Sequence, residues 1–250
     1  MMWMAWLGLA FAQGGGDVLR EVAAGVEVNW TELTLNASGV GRTGGTEGRK
    51  AIEQLARREV EASMRQGSAR IRVTSGHSLS DLTAVPELAD ALSSRVSRWV
   101  VTEARYYASG KVEIDAQLSL QDLLKPYTLK NSRPVPELDA QPDFTGLVVD
   151  ARGHATQPAW APRILGPNGN VLFAGGVWDD HAVTTSPAVY VTDPAHSGAR
   201  RAGDKPFVVS AASTKGPDLV LSAADAERFG TSMSNARVLG EGTVVVVVDR

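Results

Sequence analysis

The chain has 250 residues, 43% hydrophobic and 21% charged, which is the composition of a folded protein rather than a disordered or membrane-embedded one. A formal net charge of -3 gives no electrostatic case for binding nucleic acid. The absence of cysteine excludes a disulfide scaffold, a thiolate zinc site and a lipid-modified N-terminal cysteine.

The first residues form an apolar run that closes on Ala10-Phe11-Ala12. A dozen apolar residues ending in small-x-small is what a secretory signal presents to its peptidase, and it is too short to span a bilayer. Cleavage after Ala12 and a periplasmic or secreted location are expected, although no Lys or Arg precedes the run. The competing reading is a buried N-terminal helix.

Beyond this leader, Leu33, Leu35 and Ala37 alternate with Thr34, Asn36 and Ser38, predicting a strand with one wet face. Ile52, Leu55, Ala56, Val60 and Met64 then recur at three- and four-residue spacings, the stripe of an amphipathic helix capped at Thr46 and stopped by Gly67. Residues 69–76 read as a second strand. Pro86 opens a second helix that places Leu88, Leu92, Val96 and Trp99 on one face. Two strands follow, joined at Ala108-Ser109-Gly110. In the second, Val112, Ile114, Ala116, Leu118 and Leu120 point inward, and Lys111, Glu113, Asp115, Gln117 and Ser119 outward. The predicted order for residues 28–125 is β-α-β-α-β-β, an α+β domain with helices on one face of its sheet.

Gly39-Val40-Gly41-Arg42-Thr43-Gly44 fits Gly-x-Gly-x-x-Gly. A dinucleotide fold needs a first strand buried on both faces and an acidic residue ending the second strand, but Thr74-Ser75-Gly76 stands there. No Gly-Lys-Ser/Thr makes a P-loop. The glycines therefore read as a strand-to-helix loop, and no cofactor is expected.

Residues 126–142, with their prolines and mixed charge, read as an extended linker. A mostly β domain with one helix is expected over residues 143–250. Its signals are a strand around Leu147-Val148-Val149, a hairpin turning at Pro167-Asn168-Gly169, strands at residues 205–214 and 218–222, and a helix begun by Ser222 that buries Ala226, Phe229 and Met233. Val244 to Val248 fits a central strand buried on both faces.

Taken together, residues 28–42, the Arg/Glu-rich helix after them and Ala69-Arg70-Ile71-Arg72-Val73 resemble the N-terminal domain of flagellar assembly protein T and the related small bacterial envelope lipoproteins, over roughly residues 28–122. The later phrases resemble the continuation found in secreted proteins that share this first domain. The resemblance implies an exported envelope protein, in some relatives close to the outer membrane or to a ring around the flagellar motor. It carries no catalytic residues to transfer, and the lipid-bearing cysteine of the lipoproteins is absent here.

The candidates for chemistry are sparse. His77, His154, His181 and His196 are the histidines, and Asp179-Asp180-His181 with His196 is the one combination of metal-binding side chains, at a spacing that matches no known motif. Ser213-Thr214-Lys215 is not Ser-x-x-Lys, since position 212 is alanine, and no Gly-x-Ser-x-Gly elbow is present. Glu53, Arg57, Arg58 and Glu61 read as a solvated helix face, and Tyr106 and Tyr107 beside Trp99 as packing. No catalytic, cofactor or metal residue is nominated. Two functions of different class follow: an envelope adaptor that binds a protein partner through an exposed sheet face or edge, or a hydrolase of envelope polymers with its site where the two domains meet.

Overall fold

The structure is a computed structural model that describes residues 16–42, 48–135, 143–232 and 237–250. The expected signal segment and its cleavage point, the Thr46 cap, Gly44 and Met233 lie outside these residues. The fold is α+β, with two sheets. Among the described residues no helix is long and apolar enough to cross a membrane.

The first sheet is antiparallel in the order β1-β2-β3-β5-β4, built from β1 (Leu19–Ala23), β2 (Val26–Asn29), β3 (Thr34–Gly41), β4 (Val100–Tyr106) and β5 (Val112–Ser119). One face of β5 carries Val112, Ile114, Ala116 and Leu118, all buried as the alternation requires. Against this face lie α1 (Arg49–Ala69) and α4 (Leu120–Lys130), with α2 (Leu79–Thr83) and α3 (Pro86–Val96) packed on those helices and on each other. The opposite face is polar. There Arg105 holds Glu103, Glu113 and Asp115 together, and Ser38 donates to Asp115, so that Asp115 is buried although it points away from the helices.

Four expectations for this half need correction. The predicted first strand is two strands broken at Leu33, whose φ of 57° turns the chain, and β1 precedes them in residues for which no element was expected. Leu55 is exposed rather than part of the buried stripe, and α1 runs through Gly67, which is buried against Val26. Ala69–Gly76 is not a sheet strand: it bridges only Arg72 to Ser78, and the carbonyls of Arg72 and Val73 accept from the amides of Trp160 and Ala161 (3.0 and 2.8 Å). The start of the predicted linker is α4, with Pro126 inside the helix. Proline leaves the carbonyl four residues earlier without its amide partner, and Arg95 Nη1 fills that role by donating to Asp122 O at 2.9 Å.

The second sheet is mixed, in the order β8-β7-β11-β10-β6-β12-β9. Its strands are β6 (Gly146–Asp150), β7 (Ile164–Leu165), β8 (Val171–Phe173), β9 (Ala188–Val191), β10 (Pro206–Lys215), β11 (Asp218–Leu221) and β12 (Val244–Val247). β12 is wholly buried between parallel neighbours β6 and β9, as a continuous valine run demands. β9 had no counterpart among the expected elements. α5 (Ala223–Ser232) begins where Ser222 Oγ accepts from the Asp225 amide at 3.0 Å, and it buries Phe229; α6 (Arg237–Gly240) follows.

The halves share one core. Trp30 and Tyr190 meet edge to face at 5.8 Å, and the Thr31 hydroxyl donates to Tyr190 O. The Tyr190 hydroxyl, fully buried, donates to Ala159 O at 3.0 Å and accepts from Ala159 N at 3.1 Å; burial raises its pKa well above that of a free phenol. Arg163 adds a polar tie, joining Asp218 on β11 to Ser75 in the first half.

Candidate functional site

Past α4 the chain runs extended, and the Arg133 amide donates to Val177 O (2.9 Å) while Arg133 O accepts from Asp179 N (3.0 Å). This short parallel contact stitches the end of the first half to the loop between β8 and β9 and leaves a cleft along the seam. On one side of Arg133 is a hollow of about 230 Å³ walled by Val171, Phe173, Trp178, Phe229 and Leu239. On the other is a hollow of about 170 Å³ walled by Tyr127, Thr128, Trp160, Val177 and Pro187. Together they reach the lower end of the ~300–1,000 Å³ typical of ligand sites.

Three glycines shape the cleft. Gly175 has a φ of +63°, and a Cβ there would lie 2.6 Å from Pro162 O, so the loop bends tightly over the Ala161–Pro162 backbone. A Cβ on Gly176 would press on Arg133 Nε at 3.3 Å, and one on Gly240 would fall 2.0 Å from the Trp178 indole. The bare backbone thus seats both the guanidinium and the indole. Trp160 is anchored through Nε1 to Thr128 Oγ1 (3.2 Å), which donates to Leu124 O. Burial raises the pKa of the Tyr127 phenol, which stays neutral and presents its ring.

Arg133 is the one formal charge among the described residues that line either hollow. Among the described residues its guanidinium has no hydrogen bond and no ion pair. A cation without a partner among the described residues, set beside aromatic walls, has the chemistry to pair with a carboxylate or another anionic group.

Apart from Asp179, whose amide meets the Arg133 carbonyl at the seam, the residues singled out from sequence lie elsewhere and are engaged locally. His77 Nδ1 meets Thr74 Oγ1 (3.2 Å), His154 Nε2 meets Ala211 O (3.0 Å), and His181 Nδ1 meets Asp180 (2.8 Å). His196 accepts from Gly198 N at Nδ1 (3.1 Å), which leaves its proton on Nε2, facing Asp17 at 3.3 Å. His181 and His196 are not brought together, and among the described residues no group of three or more His, Asp or Glu side chains is placed to hold a metal ion. Asp179 accepts from Ser132. Ser213 to Lys215 end β10 in its hairpin with β11. Glu53 pairs with Arg57 and Glu61 with Arg65 on the outer side of α1. The Tyr106 ring lies under Arg49 at 3.9 Å, and its hydroxyl donates to Glu53.

Gly39 and Gly41 are strand residues rather than loop. A Cβ on them would lie 2.2 Å from Ala56 O and 2.0 Å from Ile52 O, so these glycines let α1 pack directly on β3.

A second opening, of about 370 Å³, lies beyond the carboxyl ends of β6 and β12, where open α/β sheets often bind ligands. Several of its polar groups are engaged: Arg20 Nη2 donates to Asp249 O (3.4 Å), the Asp249 carboxylate accepts from the Gly153 amide (2.8 Å), and His154 Nε2 meets Ala211 O (3.0 Å). Next to it in the chain Arg152 chelates Asp150, which holds that carboxyl below its ordinary pKa. Thr156 Oγ1 is buried there without a partner among the described residues.

Residues 146–250 match the family described as the second domain of Treponema pallidum Tp0624. The matched segment is the second sheet with its helices, and it supplies Trp160, Phe173, Trp178, Phe229 and Leu239 to the cleft. Arg133 and Tyr127 come from outside it. No curated protein matches the chain.

Sequence reasoning missed Arg133 because it stands in a stretch read as linker. A signal was present all the same: Gly175-Gly176 followed by Val177-Trp178 marks a close backbone approach beside an aromatic residue.

Proposed function

We propose that the chain is an exported, non-enzymatic adaptor of the cell envelope that holds a protein partner in the cleft between its halves. The partner offers a carboxylate to Arg133 and an adjoining apolar side chain to the hollow walled by Trp178 and Phe229. The Arg133 guanidinium, without a partner among the described residues and seated on Gly176 between two hollows with aromatic walls, is the observation that carries this reading. Export rests on the apolar leader ending at Ala12, and a link to flagellar or outer-membrane assembly rests on the resemblance of residues 28–122.

The test is tryptophan fluorescence titration with a short peptide ending in Leu-Phe, as free acid and as C-terminal amide. The free acid should bind more tightly, and Arg133→Ala should abolish the difference; a charge-assisted contact contributes about 1.5–3 kcal/mol, roughly 10- to 100-fold in Kd. Trp178→Phe should remove most of the signal. Equal affinities for acid and amide, unchanged by Arg133→Ala, would refute the assignment.

A further inference from the structure

Among the described residues β4 is an edge strand whose one partner in the sheet is β5, and most of its residues are exposed on both faces. Val100 is 59% and Tyr106 43% exposed. An edge of this kind offers a free row of amides and carbonyls for another strand, and proteins restrict it with charges and bulges. Here the bulge falls between Val101 and Glu103, and the regular stretch beyond it carries Glu103 and Arg105 on the polar face of the sheet.

Those two charges select a register. In a two-fold antiparallel pairing centred on Glu103, that residue faces its own copy; centred on Arg105, two guanidinium groups collide. Centred on Ala104, Glu103 of each copy lies opposite Arg105 of the other, twice over, and Thr102 lies opposite Tyr106. Directly opposed unlike charges favour pairing and like charges oppose it. Within one copy Glu103 is the most exposed carboxylate around Arg105, at 59% against 19% for Glu113 and 11% for Asp115, and so stands ready to reach across.

We propose that the occupant of this edge is a second copy of the chain, paired antiparallel through Thr102–Tyr106 about Ala104, which joins two five-stranded sheets into one continuous sheet. The inference is independent of the cleft.

The chain has no cysteine, so single cysteines report the register cleanly. In the proposed dimer Ala104→Cys faces itself across the two-fold within disulfide reach, whereas the two copies of Val100→Cys stand roughly 26 Å apart. Mild oxidation should link Ala104→Cys rapidly and leave Val100→Cys monomeric. Sedimentation velocity should show a concentration-dependent dimer. Glu103→Arg should raise its Kd about tenfold, with circular dichroism confirming that the variant is folded. A folded wild type that stays monomeric at all concentrations, equal cross-linking at both positions, or a folded Glu103→Arg variant that dimerises as tightly as the wild type would overturn the proposal.

Discussion

Replacing Gly39 or Gly41 with alanine tests the packing reading of the glycine motif. Neither glycine has positive φ, so the change adds no backbone strain, and its whole effect is steric. The new methyl at residue 39 would lie 2.2 Å from Ala56 O and 2.8 Å from Val60 N; at residue 41 it would lie 2.0 Å from Ile52 O. Ordinary contact needs roughly 3.5 Å or more, so α1 must retreat from β3 by about 1 Å. Because the obstructing atoms are backbone, no rotamer change relieves the clash. Overpacking of a core typically destabilises by 1–3 kcal/mol, and a rigid obstruction puts each substitution near the upper end, about 3 kcal/mol. For a chain of this size that is a fall of about 6–12 °C in Tm. The double variant should lose less than the sum, since one displacement of the helix relieves both clashes. Gly76→Ala is the control, with nothing within 4 Å of the added methyl, no positive φ and an expected change within about 0.5 kcal/mol. Thermal unfolding followed by far-UV circular dichroism measures all four. If Gly39→Ala and Gly41→Ala melt with the wild type, α1 does not sit on β3 and the glycines await another explanation.

Two further stability predictions follow from ion pairs, and one concerns pH. The Asp218 carboxylate is 1% exposed and faces Arg163 at Nε and Nη2. Arg163→Ala strands that charge and should destabilise by about 3 kcal/mol, read by urea unfolding; a loss under 1 kcal/mol would show that Asp218 does not depend on its cation. The Glu113 carboxylate is held down to about 2, first by Lys111 and then by the Tyr107 hydroxyl and Arg105. A depressed folded-state pKa contributes stability that is full above the unfolded value, about 4.3, and is lost as pH falls towards 2. Glu113→Gln should therefore flatten the stability profile between about pH 5 and pH 2, and parallel profiles for the two proteins would contradict the assignment.

Elements whose inward residues report their own surroundings were legible from sequence. The alternation of β5 predicted both its buried face and its polar one, and the valine run of β12 predicted burial on both sides. Where a distant residue settles the matter, local pattern misled. Pro126 argues against a helix, but Arg95 from α3 supplies the missing donor. Leu55 fits the periodic stripe of α1, but that helix meets the sheet along Ile52, Ala56 and Val60 and leaves Leu55 in solvent. β9 is four residues long and preceded by proline, too brief for a period to show. Gly39 and Gly41 looked like a loop because glycine usually punctuates; their spacing of two, with a helix following, was the sign of a backbone lying across a strand. The cleft was unreadable for a similar reason, since Arg133 gains its setting from Gly176, Trp178 and Phe229, which lie far along the chain.

The most direct measurement of the adaptor account is photo-cross-linking in living cells from a benzoylphenylalanine at position 171, on the exposed rim of the cleft. The account predicts one discrete cross-linked partner, lost when Arg133 is replaced by Glu and retained when the same reversal is made at the distant Arg57. A partner captured equally with Arg133→Glu, or none captured from position 171, would contradict it.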